Sequence, residues 1–296
     1  MDIQNRHTIF ELAKDRWPIL LNEMNDPPKQ LYCIGKPPPI DAVYLTVIGS
    51  RAPTDYGRDC VHSLIMGLTG YPIVIVSGLA LGIDGLAHEA ALEAGLLTVS
   101  FPGSGLNWNA IYPSQHRALA DRIISYGGCL LSEFKHEQTG TRWSFPQRNR
   151  LMAGISKATL IIEGRLESGS LITTKQAFDY NRSVLALPGS ITNPLSAGPN
   201  MLLRTPSAIA VTCSNDILEE LGFERRGSFP AISPDRLAAL DPLSRSIIDM
   251  LERGSMNKDN LCRELGIPMI DLNPLVSFLE IDGFVKTTGN VVRRVA

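Results

Sequence analysis

Cysteine is scarce in this sequence of 296 residues, and the five that occur, Cys33, Cys60, Cys129, Cys213 and Cys262, are odd in number and widely scattered. They form no C-x-x-C pair and no Cys and His grouping that makes a zinc set, and their number and scatter supply no disulfide framework. The thiols read as reduced, small hydrophobes. Long apolar runs are missing as well. The most hydrophobic stretches, YPIVIVSGLALG and ATLIIEG, are interrupted by Gly or Pro well short of the ~18 residues that a membrane helix needs. The opening MDIQNRHTIFELAKDRWP has no basic segment followed by an apolar one, so no secretory signal and no membrane partner are expected, and a cytoplasmic location is.

Neither sign of charge is in excess: 28 Lys and Arg stand against 30 Asp and Glu, a formal net charge of −2. That excludes a general attraction for polyanions, and any nucleic-acid binding must rest on a local patch. No G-x-x-x-x-G-K-[ST] occurs, which excludes a P-loop nucleotidase. The one stretch that begins like a dinucleotide fingerprint, Gly103-Ser104-Gly105, meets Trp108 where the third glycine belongs.

What is present is the composition of an ordinary folded protein, 44% hydrophobic and 20% charged, with a length of about two domains. From Val43 to Pro188, short β-branched runs (VYLTVIG, IVIVSG, LLTVSFPG, CLLSE, TLIIEG, SVLALPG) recur with helical stretches between them. Their apolar residues are consecutive rather than alternating, which suits strands buried on both faces of a parallel sheet. The expectation is an α/β fold, an extended Rossmann-like, doubly wound, mostly parallel sheet. Helices are expected at TDYGRDCVHSLIMGLTG, at GIDGLAHEAALEAG and at SGSLITTKQAFDYN, the last opening on Ser168, Gly169 and Ser170 as its cap. Residues 1–42 read as an amphipathic piece and a Pro-rich strap packed on the main domain of residues 43–222. A linker follows over 223–240, and residues 241–296 read as three helices and a hairpin turning at Gly289-Asn290, a small winged-helix domain.

In an open parallel sheet, ligands bind beyond the carboxyl ends of the strands. Those ends are rich in small residues here: Gly49-Ser50, Ser77-Gly78, Pro102 to Gly105, Glu163-Gly164 and Pro188 to Ser190. Glycine admits close backbone approach and a helix N-terminus favours phosphate, although βα turns use glycine for their own geometry too. Arg51 adds a cation directly after Gly49-Ser50. The strongest local signal is SFPQRNRLMAG, Ser144 to Gly154. No acid occurs between Glu137 and Glu163, whereas Arg142, Arg148, Arg150 and Lys157 do, with Trp143 and Phe145 interleaved. Cations for phosphates and flat rings for bases are what single-strand binding uses. The competing reading puts the aromatics in the core and the arginines at a helix end, and for Trp143 core packing is the expectation.

Catalytic signals are thin, so no catalytic residue, metal or cofactor is expected. Asp84 and His88, four apart on one helix, suit an acid–base pair, or else a helix-capping Asp and a His packed on a strand. Glu133 and Glu163, at strand ends, suit holding a water or a base, but no nucleophile or metal set surrounds them. The recognition helix of the winged-helix domain, Asp271 to Asp282, carries acids and Pro274 but no basic residue, unlike a duplex reader. It is as suited to protein as to DNA, and only Arg293-Arg294 at the wing seeks phosphate.

The order of motifs VIGSRAPTDYG, VSGLALGIDGLAH, LNWNAIYPSQH, LLSEF, SFPQRNRLMAGIS, ESGSLITTKQA, LPGS and AGPNMLL resembles the DprA/Smf family of DNA-processing proteins, from about Trp17 to Gly222. The resemblance implies a non-enzymatic protein that binds and protects single-stranded DNA taken up in natural transformation, and that helps load the RecA recombinase. It also implies a homodimer formed through the Rossmann-like domain. Carried over by motif, the DNA-binding residues are Gly49, Ser50 and Arg51, then Phe145, Arg148, Asn149 and Arg150, with Ser168, Gly169 and Ser170 beside them. Arg142 meets a basic position before the Phe-Pro. Of these, Arg148 and Arg150 are expected to hold backbone phosphates and Phe145 to stack a base.

Two departures bear on the resemblance: residues 1–42 are not expected to form the full helical SAM-like domain that many members carry, and Asn107 stands where the family often has Asp. Two other readings are open from the sequence. A nucleoside-monophosphate N-glycosidase would show Pro-Gly-Gly-x-Gly-Thr, which FPGSGLNWN does not supply. A ligand-sensing winged-helix transcription factor is disfavoured by the acid-rich recognition helix.

Overall fold

Consecutive β-branched and aliphatic residues can be satisfied only between two layers of helix, and the chain uses them so. A computed structural model describes residues 7–205, 207–224, 240–251 and 256–294. In chain order the first elements are β1 (Ile9–Glu11), α1 (Ile19–Asn22), β2 (Tyr32–Gly35), β3 (Val43–Ile48), α2 (Asp55–Met66), β4 (Ile73–Ser77), α3 (Ile83–Glu93), β5 (Thr98–Ser100), α4 (Arg117–Ser125) and β6 (Cys129–Ser132). They continue as α5 (Ser144–Ile155), β7 (Ala158–Ile161), α6 (Gly169–Asp179), β8 (Ser183–Ala186), α7 (Ala197–Arg204), β9 (Ile209–Ala210) and α8 (Ser214–Glu220). One nine-stranded sheet results, ordered β1-β2-β6-β5-β4-β3-β7-β8-β9. From β6 to β9 all pairs are parallel, and β1 and β2 close one edge antiparallel. The six runs read from the sequence are β3 to β8, all within the parallel part.

Strand β3 shows how the two layers form, because successive side chains of a strand point to opposite faces. Leu45 and Val47 pack with Val61, Ile65, Ile83 and Ala87 of α2 and α3. Tyr44 and Ile48 pack on the other face with Leu151, Met152 and Ile155 of α5. Thr46, buried on that second face, donates its hydroxyl hydrogen to the Met152 carbonyl at 2.7 Å, which satisfies a polar atom inside the core.

Residues 7–42 correct the expectation of a strap laid on a finished domain. They supply two strands of the sheet and a row of buried core side chains, among them Leu12, Trp17, Leu21, Leu31 and Cys33. Strands of three and four residues among prolines carry too little periodicity to be seen in sequence. Trp17 is fixed there by its indole N–H, which donates to the Leu12 carbonyl at 2.7 Å.

The described residues up to Glu224 form one compact unit and those from Leu240 onward a second. Residues 225–239, most of the expected linker, lie outside the described residues. The second unit contains α9 (Pro242–Leu251), β10 (Met256–Asn257), α10 (Lys258–Leu265), α11 (Met269–Ile281), β11 (Val285–Thr288) and β12 (Val291–Arg294). Its three strands pair antiparallel in the order β10-β12-β11, giving three helices and a hairpin wing. Ile247, Ile248, Leu261, Leu272, Val276, Leu279 and Phe284 form its core. The side chains of Arg293 and Arg294, expected to seek phosphate, lie outside what the structure describes. Among the described residues no helix is long and apolar enough to cross a membrane.

Candidate nucleic-acid interface

The sheet order places a switch point at β3. The chain moves from β3 to β4, β5 and β6 on one side, and returns to β7, β8 and β9 on the other. Loops leaving β3 and β7 therefore part, and a crevice opens beyond their carboxyl ends. A cavity of about 790 Å³ lies there. It is lined by Gly49, Ser50 and Arg51 after β3, by Ala80 and Asp84 ahead of and within α3, by Phe145, Arg148, Asn149 and Met152 of α5, and by Gly164 to Ser170 after β7.

The contribution of α5 follows from helical spacing. Phe145, Arg148, Asn149 and Met152 stand at i, i+3, i+4 and i+7 and share one face, which is the face on the cavity. The start of the helix is fastened by Ser144, whose hydroxyl donates to the Gly103 carbonyl at 2.6 Å and accepts from the Thr141 amide at 2.8 Å. Gly103 has φ 73°, and a Cβ there would lie 2.8 Å from the ring of Phe145. A side chain at that position would displace the ring as well as strain the turn.

Arg148 is only 5% exposed, yet it is a cation. Burial pulls its guanidinium down to about 10, with Asp84 acting in the opposite direction and Arg51 in the same one, so the charge persists at neutral pH. Its Nη1 donates to the Gly78 carbonyl at 2.6 Å and its Nε to Asn149 Oδ1 at 3.1 Å. The amide of the same Gly78 donates to Asp84 Oδ2 at 3.1 Å, so one peptide segment anchors both ionic side chains. Any side chain at Gly78 would collide with the guanidinium. Burial pushes the Asp84 carboxyl up, against the pull of Arg148, of the Ala80 and Gly78 amides, and of Arg51.

Arg51 is exposed, with its guanidinium carbon 5.7 Å from the centre of the Phe145 ring, within cation–π range. Ser168 caps α6 with extended backbone, but its hydroxyl meets that of Ser170 at 2.6 Å instead of a helix amide. The cavity therefore receives two serine hydroxyls and the N-terminal end of an eleven-residue helix, a setting that favours an anion.

Nine of the eleven residues expected to bind DNA line this one cavity: Gly49, Ser50, Arg51, Phe145, Arg148, Asn149, Ser168, Gly169 and Ser170. Arg142 and Arg150 do not. Arg150 lies on the other side of α5, ion-paired with Glu133, 3.7 Å from Asp26 and donating to the Asp26 carbonyl. The expectation that Arg150 holds a backbone phosphate therefore meets a guanidinium already engaged by two carboxylates. Arg142 lies over Trp143, 4.9 Å from the ring centre. Trp143 is 73% exposed, which overturns the core role expected of it, because the ring is thrown outward just ahead of the first turn of α5.

Asp84 and His88 do not form an acid–base pair. His88 is fully buried with Nδ1 2.7 Å from Thr98 Oγ1, and burial pulls it down to about 3, so it is neutral. Glu163 is structural too, accepting from the Thr54 amide at 2.9 Å and from its hydroxyl, while Thr54 caps α2. It thereby fixes the loop that carries Ser50 and Arg51. Burial raises the Glu133 carboxyl and Arg150 lowers it. Reading the sequence missed the role of Gly78 and Asp84, although the Gly78 to Asp84 spacing, a tight strand-to-helix turn, was there to be used. Among the described residues no group of His, Cys, Asp and Glu could hold a metal ion.

A family model described as DNA recombination-mediator protein A matches residues 8–222. Protein Smf of Escherichia coli (strain K12) is 39% identical over 220 residues, which cover 74% of this chain and 58% of that protein. The chain thus matches little more than half the length of that relative. Among solved structures, DNA processing protein A from Streptococcus pneumoniae superposes with a TM-score of 0.66 at 36% identity, over 74% of this chain and 76% of that one. DNA processing protein A from Helicobacter pylori, solved for its single-stranded DNA binding mode, gives a TM-score of 0.64 at 28% identity, over 73% of this chain and 96% of that one.

Proposed function

The chain belongs to the DprA/Smf family of DNA recombination-mediator proteins, and from that premise we propose that its first unit binds single-stranded DNA in the cavity at the switch point of the sheet. The observation that carries the reading is the grouping of Arg51 and Arg148 around Phe145, with the Ser168-Gly169-Ser170 turn beside them. Cations there meet phosphate oxygens and the ring meets a base face. A base inside a duplex is already stacked on both faces, so a protein ring in a crevice selects unpaired strands. The H. pylori relative supports the same ligand.

In this reading the protein is a binder and not an enzyme. Asp84, His88, Glu133 and Glu163 each hold a structural partner, and the hydroxyls beside His88 and Glu163, those of Thr98 and Thr54, are taken up by a strand carbonyl and a helix cap. It protects incoming strands and passes them to RecA in transformation and recombination, in the cytoplasm, as a homodimer of the sheet-bearing unit. Arg142 adds positive charge just ahead of α5. Arg150 acts by holding α5 in place.

Fluorescent oligo-dT titrated into the wild type and into Arg51→Ala tests this. We expect the variant to bind at least about tenfold more weakly while keeping its circular dichroism, and wild-type affinity to fall steeply with salt. Equal affinities, or an affinity indifferent to salt, would overturn the assignment.

A further inference from the structure

The aromatic surface does not end where the cavity does. Tyr112 lies outside the cavity lining, and its ring centre is 5.7 Å from that of Phe145 with the planes inclined at 46°. It is 52% exposed, whereas its neighbour Ile111 is 1% exposed. The backbone around it is held on both sides. Arg117 donates to the Asn109 carbonyl at 2.6 Å and to the Ile111 carbonyl at 3.3 Å, and His116 Nδ1 lies 2.7 Å from the Leu79 carbonyl. An exposed ring on an anchored backbone offers contact area at a small ordering cost. Core packing gives no account of a ring half open to solvent.

The spacing says what such a ring can do. Two rings that sandwich one base stand ~7 Å apart, twice a ~3.5 Å contact, and face one another. Phe145 and Tyr112 are closer than that and tilted, so they cannot share a base, but each can present a face to a different one. We propose that Tyr112 is a second base-stacking position, for the nucleotide next to the one on Phe145, and that the single strand leaves the cavity past Tyr112. The proposal rests on the single-stranded DNA reading and adds to it a direction of exit and a footprint larger than the cavity.

The test uses the full chain, with dT12 and a twelve-residue abasic strand of equal charge. Tyr112→Ala is expected to weaken dT12 about tenfold, the size of one stacked base, and the abasic strand less than about twofold. Tyr112→Phe, which keeps the ring, should stay within about twofold on both strands. In Tyr112→Trp the new indole emission should be quenched by dT12 and not by the abasic strand. Equal losses on both strands, no loss on either, or an unquenched indole at saturation would overturn the stacking role while leaving the cavity assignment intact. Wild type that binds neither strand would sink both together.

Discussion

Helices α5 and α11 are of similar length and each packs on the core of its own unit, yet they distribute charge in opposite ways. On α5 the ionic side chains are Arg148 and Arg150, both arginines, and both are turned into contacts that leave them largely covered. On α11 they are Asp271 and Glu280, and the helix exposes Ile270, Phe278 and Ile281 while burying Leu272, Val276 and Leu279. An arginine at a helix surface in water is worth little to a phosphate, because solvent screens it. Arg148 is different: it is held by the Gly78 carbonyl beside Asp84, at the mouth of a crevice, where the effective dielectric is low and no reorganisation is needed on binding. A phosphate site is thus a matter of how a cation is held, and the helix that occupies the recognition position of the winged unit has none to hold.

Arg148 carries most of the difference between the two helices. Arg148→Ala takes from the buried Asp84 the cation that most favours its charge and from the Gly78 carbonyl its donor, which should cost about 3 kcal/mol of stability and abolish oligo-dT binding. Chemical denaturation read alongside a titration checks both, and Arg148→Lys, which keeps the charge without the planar fork, should recover part of the stability and little of the binding. A variant as stable and as tight as wild type would mean that Arg148 is no part of the site.

The next effect separates the two units by pH. All five histidines lie in the first unit, and none occurs from residue 241 onward. His88 titrates at about 3 in the fold against about 6.5 unfolded, so between those values the unfolded chain takes up a proton that the folded chain refuses. Stability from this group is complete above pH 6.5 and is lost as pH falls, by about 3 kcal/mol at pH 4. Asp84 and Glu133, pushed up by burial, work the other way and offset part of the loss. Denaturation of the first unit, followed by the fluorescence of its tryptophans, should therefore shift with acid more in wild type than in His88→Gln. Matching pH profiles would show that His88 is not held neutral.

How far the sequence could be read depended on whether each feature was local. The six parallel strands were legible because double burial writes consecutive apolar residues into the chain. The glycine-rich strand ends with Arg51 and Ser168 were legible because turn chemistry is local. Direction of side chains was not. Arg148 and Arg150 are two residues apart on a helix, about 200° round its axis, and only packing decides that one enters the cavity and the other meets Glu133 and Asp26. Trp143 and Phe145 part in the same way, one into solvent and one onto the cavity. Strands β1 and β2 were hidden for a further reason: β1 joins the sheet only through β2, and β2 finds its partner β6 about a hundred residues away.

That division of α5 gives the third prediction. Arg150→Ala should change oligo-dT affinity less than about threefold, because the side chain points away from the cavity. It should lower stability by about 2 kcal/mol, less than a fully buried pair because Asp26 and part of Glu133 reach solvent. A loss of binding as large as that of Arg51→Ala, at unchanged stability, would instead place Arg150 on the phosphates.

The smallest effect belongs to α11, and it is the sharpest check on the contrast between the two helices. Phe278 and Ile270 are the rings and branches that this helix offers to solvent, and with only carboxylates among its charges they face a strand of phosphates across an unfavourable field. Ile270→Glu and Phe278→Ser should both leave the oligo-dT affinity within about twofold, with unaltered salt dependence, since neither removes a cation nor a ring of the cavity. Exposed apolar residues replaced by polar ones also leave the core of Leu272, Val276 and Leu279 untouched, so the fold of the second unit should persist. If Phe278→Ser weakened single-strand binding about tenfold, an aromatic on the acidic helix would be stacking a base. Binding would then depend on rings more than on buried cations, and the preference drawn here for α5 over α11 would fail at its foundation.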